Sequence, residues 1–532
     1  MHDYVIVGAG SAGCVVANRL GEDPDVRVAV IEAGPPDDDP NIHMPFAFGL
    51  NLTSDYDWAL FSEPEPGLDH RRNYLPRGRV LGGSSSLNAM IYIRGNPADY
   101  DEWAALGNDG WAYEDVLPYF RRAEDNERGE NRYHGVGGPL SVSESRSMHP
   151  IVEAFVDACE QVGIPRNDDL NGATQEGAGR FQVTQRDGRR CSTAVAYLRP
   201  AVERGNVEVL TDTRVHRILF EGTRAVGAAL RQGERRETVR AAREVVVCTG
   251  TILTPRLLML SGVGDAAQLG AHGIPVVADN PHVGRHLRDH VGLRFGFRLQ
   301  GARGANASLR MPGLIGTIAR YLLFRSGPLG TTGEVGAFVR LGPGATRPDG
   351  QLMLSAMTQT APRVGAYMGP VEKEPGVSGM ACVLDADSEG SVTLASADPA
   401  ANPRIQPNAL STDHDRAAVL ALAKVVRALF AQPAIAPHIA YEAFPGPAIA
   451  TDDQIMDYAN RTARNFNHAV GTCRMGSRAT GAVDARLRVH GVQGLRVADC
   501  SIMPTLPAGN TNGPAQMVGW RAAELIREDA QG

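Results

Sequence analysis

Short apolar runs that stop abruptly at a glycine or a single acid set the pattern of this chain. The first, Asp3-Tyr-Val-Ile-Val7, ends in Gly8-Ala-Gly10-Ser-Ala-Gly13. A stretch of helical character follows, and a second run, Val28-Ala-Val-Ile-Glu32-Ala-Gly34, ends in an acid. The pattern predicts strand, turn, helix, strand. Much later, Glu244-Val-Val-Val-Cys248 leads into Gly250-Thr-Ile-Leu-Thr254-Pro255. That predicts another strand and turn, then a helix opened by Pro255 in its first turn and closed by Gly262. Leu495-Arg-Val-Ala498-Asp499 reads as a further strand. Apolar residues at helical spacing over 415–430, behind an Asp cap, predict an amphipathic helix, and 519–526 belongs to a closing one.

Glycine placement gives the first run its chemical meaning. Gly8 permits the tight turn, Gly10 lets backbone approach a pyrophosphate, and Gly13 lets helix pack on strand. The helix offers free N–H groups and a partial positive charge to phosphates. Glu32 lies 19 positions after Gly13, where a carboxylate would bind ribose hydroxyls. The chain is therefore expected to bind a dinucleotide.

At 532 residues the chain calls for more than one core, and 43% hydrophobic with 21% charged residues is ordinary for a globular protein. A net charge of −7 and the lack of basic runs argue against nucleic acid. No leader is expected before the first strand, and no apolar stretch reaches the roughly 18 residues that span a bilayer. Seven scattered cysteines without a CxxC pair make neither a disulfide framework nor a zinc site, so a cytoplasmic protein is expected. Lys373 and Lys424 are the only lysines and sit in no motif, which excludes Schiff-base and P-loop chemistry.

Three further signatures stand apart. Gly78-Arg79-Val-Leu-Gly82-Gly83-Ser84-Ser-Ser-Leu87-Asn88 exposes backbone N–H groups and small hydroxyls suited to a pyrophosphate or a flavin edge. The 250–264 segment is the second. The third is C-terminal: Asn467-His468-Ala-Val-Gly471-Thr472-Cys473-Arg-Met-Gly476, followed by Gly509-Asn510-Thr-Asn512-Gly. Segments 148–189 and 296–464 lack such motifs, which suggests a dinucleotide unit built from discontinuous pieces with a second unit inserted.

These ordered signatures resemble the glucose–methanol–choline (GMC) oxidoreductases over the whole chain, most of all the choline dehydrogenase-like branch. The resemblance implies an α/β fold. A Rossmann-like FAD-binding domain would comprise 1–147, 190–295 and 465–532, and a substrate domain with an antiparallel sheet and helices 148–189 and 296–464. It implies FAD-dependent oxidation of a primary alcohol, with oxygen or a quinone- or dye-like molecule as electron acceptor. His468 matches the catalytic histidine, and Asn512, placed by Gly519 seven residues on, matches the second active-site position. Gly8, Gly10, Ser11, Gly13, Glu32, Ala33, Arg79, Gly83, Ser84, Asn88, Val215, Gly250 and Asp499 match FAD contacts, and Asn510 touches the cofactor or holds the loop. Leu87 stands where covalent members have histidine, so the FAD is expected to be non-covalent.

The chemistry asks for the same residue types. Hydride leaves the carbinol carbon for flavin N5, and a histidine near neutrality can take the hydroxyl proton. An amide such as Asn512 can fix the alcohol oxygen without competing for that proton. Glu334, in Glu334-Val-Gly336-Ala-Phe338, resembles the carboxylate that faces a cationic substrate in choline-oxidising members, although a structural role is equally open. Asn467 and Ala469 flank the histidine where the family usually has an apolar residue and proline, which suggests a more polar substrate mouth. Cys382 and Cys473 are expected to be buried and inert. The His286/His290 spacing has no third ligand, so no metal is expected. A lyase of the hydroxynitrile type on the same scaffold is the alternative reading.

Overall fold

The computed structural model describes residues 1–145, 149–301, 304–342, 344–360 and 369–531. The apolar runs become the strands of a central parallel sheet. His2–Val7 lies between Val28–Ile31 and the second half of Arg235–Val247, and both neighbours run parallel to it. Val207–Leu210 extends the sheet at one edge and Leu495–Val497 at the other, again in parallel. Tyr4–Val7, Val28–Ile31 and the 245–247 stretch at the centre of the sheet are apolar without interruption because both faces are covered, while the edge strands admit Glu208 and Arg496. Helix Ser11–Leu20 packs against the long C-terminal helix Asn512–Gln531, where Gly519 approaches Ala12 so closely that a Cβ would meet its carbonyl oxygen at 2.7 Å.

Arg235–Val247 has a double role. Its first half pairs antiparallel with Arg224–Gln232, which pairs in turn with Arg214–Glu221. The resulting ribbon brings Val215 beside the parallel sheet.

A second, wholly antiparallel sheet takes strands in the order Ile439–Phe444, Val291–Leu299, Gly376–Val383, Gly350–Ser355, Val335–Val339, Gly177–Arg180. Its residues alternate cleanly. Ala337, Leu352, Leu354 and Ala381 face a core shared with helices Pro150–Gln161 and Asp413–Phe430. Phe338, Cys382 and Leu384 face a different cluster, with Ile91, Phe181 and Ala508. The alternation, period two, sends one face to the covering helices and the other toward the loops that follow the parallel strands.

Several sequence expectations change here. The helix of 250–260 starts at Gly250, so Pro255 lies inside it rather than in its first turn; Gly262, at φ +86°, does end it. The amphipathic helix begins at Asp413 and is capped by Thr412, whose hydroxyl accepts from the Asp415 N–H. Asp415 is instead buried and accepts from the N–H groups of Asp387 and Ser388. Strand Val291–Leu299 crosses the expected boundary at 295/296 and belongs to the antiparallel sheet. The boundary at 147/148 lies outside the described residues.

Candidate active site

A cleft runs between the ends of the parallel strands, the 77–91 loop and the C-terminal loop. Gly8, Gly10, Ser11, Glu32, Ala33, Gly83, Ser84, Asn88, Val215, Gly250, Asp499, Asn510 and Asn512 line it, as do Asn467 and His468. Gly13, Arg79 and Glu334 do not.

Each exception has a physical reason. Gly13 sits where a Cβ would strike the Gly8 carbonyl oxygen, so its task is helix-on-strand packing. Arg79 holds its guanidinium 5.9 Å from the Trp58 ring centroid, and its charge eases the burden on Glu32. Glu334 is buried, and its carboxyl is met by the backbone N–H of His149 at the start of a helix. Burial pushes it up to about 7, and Oε2 has no partner among the described residues.

The glycines test whether a dinucleotide fits. Gly8 has φ +100° and would place a Cβ 2.6 Å from the Cys248 carbonyl oxygen, so the fold itself demands glycine. Gly10 differs: a Cβ there would meet nothing nearer than 3.8 Å. Gly250, at φ +82°, would project a Cβ into open space with nothing within 4 Å. The protein keeps that space clear. Helix Ser11–Leu20 has no side-chain cap, so its first N–H groups remain available to an anion. Glu32 is buried, accepts at 2.9 Å from the N–H groups of both Ala9 and Gly34, and is pushed by desolvation up to about 7. An uncapped helix start, a cleared backbone track and a buried carboxylate at the end of the second strand suit the pyrophosphate and ribose of FAD. Asp499 serves the frame, accepting from Gly250 N–H at 2.9 Å and from the Thr254 hydroxyl at 2.6 Å. Leu87 is buried among Ile42, Leu52 and Val80.

His468 is the chemical centre. Its backbone N–H donates to Asp289 Oδ1 at 2.8 Å, which fixes the loop. Its ring is bonded at both nitrogens: Nδ1 lies 2.9 Å from His290 Nδ1, and Nε2 lies 3.2 Å from Asn510 Nδ2. Burial, then the neighbouring His290 and Arg77, hold His468 well below the usual histidine range. Burial likewise lowers His290 to about 4, so both rings are neutral near pH 7.

The network assigns their tautomers. Gln351, fully buried on the site-facing side of the antiparallel sheet, donates from Nε2 to Asn510 Oδ1 at 3.1 Å. The Asn510 amide must then turn its NH2 to His468 Nε2, which must accept and so carries no proton. The proton of neutral His468 is thereby on Nδ1, donated to His290 Nδ1. His290 accepts at Nδ1, so its own proton is on Nε2, a buried position with no hydrogen-bond partner among the described residues. An unprotonated Nε2 facing the cleft is the tautomer a base requires.

This geometry corrects the assignment of the second active-site amide. Asn512 accepts at 2.8 Å from the Ser11 hydroxyl and so joins the glycine-rich turn to the C-terminal helix, whereas Asn510 is the amide beside His468. Arg77, His290 and Gln351 are functional candidates the sequence reading missed. Arg77 directly precedes the 78–88 signature, which could have drawn attention to it. Gln351 carried no local signal, and His290 only a metal-like spacing with His286. The His286/His290 spacing does not converge, since His286 bonds Glu389 at 2.7 Å while His290 turns to His468. Six of the seven cysteines are buried, all are free, and burial raises the thiols of Cys382 and Cys473.

A dinucleotide cleft at the ends of parallel strands, with a neutral histidine and an amide at one wall, suits a nucleotide redox cofactor beside a proton acceptor. Residues 2–292 and 386–519 match the GMC oxidoreductase family. The chain belongs to that family. It is 41% identical to the alcohol dehydrogenase [acceptor] of Pseudomonas putida, over 99% of this chain and 96% of that protein. It is 42% identical to human mitochondrial choline dehydrogenase, over 99% of this chain and 90% of that protein. Pyridoxine 4-oxidase from Mesorbium loti superimposes with a TM-score of 0.89 at 30% identity, covering all of both chains.

Proposed function

We propose that this chain oxidises a primary alcohol to the aldehyde, with His468 as base and FAD held without a covalent bond. The observation that carries the reading is His468 in the wall of a dinucleotide cleft, its Nε2 3.2 Å from the Asn510 amide. FAD, when bound, supplies the hydride acceptor. The remaining tasks fall to the chain. His468 Nε2 receives the hydroxyl proton, and the His290 lone pair stabilises the imidazolium through the Nδ1–H bond. Asn510, its orientation set by Gln351, hydrogen-bonds the alcohol oxygen and holds its proton toward Nε2. Arg77 lines the cleft and brings a positive charge where negative charge accumulates.

Asn467 supports a polar substrate. It lines the cleft with φ +67°, and its buried Oδ1 has no partner among the described residues. A hydroxyl, amine or amide on the substrate would satisfy that atom. A direct carboxylate–cation contact through Glu334 has no such support, because Glu334 does not line the cleft. The relatives include a dehydrogenase named for an acceptor and choline dehydrogenases named as oxygen-dependent, so both acceptor classes are in range. All of these relatives are redox enzymes, which favours oxidation over the lyase reading. We place the enzyme in a reducing compartment such as the cytoplasm, in keeping with its free cysteines; no helix among the described residues is long and apolar enough to cross a membrane.

The test is anaerobic mixing of the FAD-loaded enzyme with choline and with aliphatic, aryl, polyol and amino alcohols. Bleaching of the flavin band by one class names the substrate type, and the speed at which colour returns in air separates oxidase from dehydrogenase. A fully loaded enzyme bleached by none of them, yet cleaving a cyanohydrin, would overturn the proposal.

A further inference from the structure

Helix Gly313–Phe324 is built inside out. Its inner face is held by buried Thr317 and Tyr321, whose hydroxyls bond to the Ser308 and Gly188 carbonyls. Its outer face, where a surface helix normally carries polar residues, instead presents Ile315, Ile318 and Leu322, and Met311 just before the helix is exposed as well. The spacing of three and four places the helical three in one stripe. Leu323 and Phe324 close it, 74% and 72% exposed. Six of the fourteen exposed large apolar residues described in the chain thus fall within 311–324. A patch of this kind marks an interaction surface rather than chance.

Charge says what covers it. Between Leu299 and Glu334 the sequence holds no acid but four arginines, in a chain of net charge −7. Arg310, Arg320 and Arg325 lie along the helix and its ends. Among the described residues they bond to the Val371 carbonyl and the Ser326 hydroxyl or stack on Tyr321, and no carboxylate pairs with them. The adjoining hairpin adds Arg186 and Arg189 against a single Asp187, and its turn touches Arg325. An apolar stripe rimmed by unpaired arginines is the pattern of a helix lying in the interface of an anionic bilayer, its arginine stems following the apolar surface and their heads meeting lipid phosphates. A second copy meeting the same face two-fold would bring like charges together. At 12 residues the helix is about 18 Å long, too short to span a bilayer.

We propose that this face docks the enzyme peripherally on an anionic membrane surface, where lipid-dissolved electron acceptors concentrate. The proposal is independent of the alcohol-oxidation reading, since it concerns a face outside the cleft.

The test is co-sedimentation of the FAD-loaded full chain with vesicles of phosphatidylcholine alone or with phosphatidylglycerol added. Binding is expected to the mixed vesicles, to weaken with salt, and to fall by about tenfold or more in I315S/L322S/F324S and in R310E/R320E/R325E, with flavin content unchanged. Because all the substituted residues are exposed or at the helix end, a retained flavin spectrum verifies folding. Absence of binding by the wild type to either vesicle would overturn the proposal. So would vesicle binding that both variants retain, or an I315S/L322S/F324S variant whose only change is dissociation of a dimer.

Discussion

Replacing His290 tests whether His468 works as a base of fixed tautomer. The two Nδ1 atoms lie 2.9 Å apart, in a T-shaped pair of rings 5.1 Å between centroids, and His290 is fully buried. His290→Phe keeps an aromatic ring but removes the acceptor, leaving the His468 Nδ1–H a buried donor without a partner. Such a loss costs about 1–3 kcal/mol. His468 escapes the cost by moving its proton to Nε2 or turning its ring, and either removes the base. Flavin reduction under anaerobic stopped flow should therefore slow by roughly five- to 150-fold, since each 1.36 kcal/mol is tenfold. The alcohol concentration for half-saturation should stay nearly constant, because His290 does not touch the cleft. His290→Asn offers an amide oxygen close to the lost Nδ1 and should recover the rate to within about threefold. Equal slowing in both variants would reduce His290 to a packing residue, and unchanged rates in both would refute the tautomer argument outright.

Further outcomes follow from the same geometry. Gly10→Ala should fold normally, with FAD bound about tenfold more weakly, whereas Gly13→Ala should lose folded protein because its Cβ meets a backbone carbonyl; thermal melts with and without FAD separate the two. Asn510→Ala should impair flavin reduction at full FAD occupancy, and Asn512→Ala, which frees the Ser11 hydroxyl, should show itself first in FAD retention on gel filtration. Glu334, raised from 4.5 to about 7 by burial, binds its proton more tightly folded than unfolded. Stability from this group is therefore greatest at low pH and lost as pH rises from about 4.5 to about 7, so the melting temperature of Glu334→Gln should fall less than that of wild type over that window.

What the sequence made legible was local. Strand, glycines, helix and acid within the first 34 residues state a dinucleotide turn because each glycine answers to contacts a few residues away or to the bound group. Asn510 and Asn512 show the limit. Both are amides two positions apart in one loop, and only the meeting of that loop with Gln351 on a distant strand decides which faces His468. His290 was legible only as half of a metal-like spacing, since its partner lies 178 residues away. The antiparallel sheet was expected only through the family resemblance, and its strand order was hidden, because its strands come from positions between 177 and 465 and are ordered by long-range pairing.

The central claim is that a neutral His468 removes the alcohol proton, and the most direct measurement is anaerobic single-turnover reduction of FAD-loaded His468→Ala. With the alcohol that bleaches the wild-type flavin, reduction should slow by about 10²–10⁴-fold while FAD remains bound and the alcohol still binds. A variant that bleaches as fast as wild type would contradict the account.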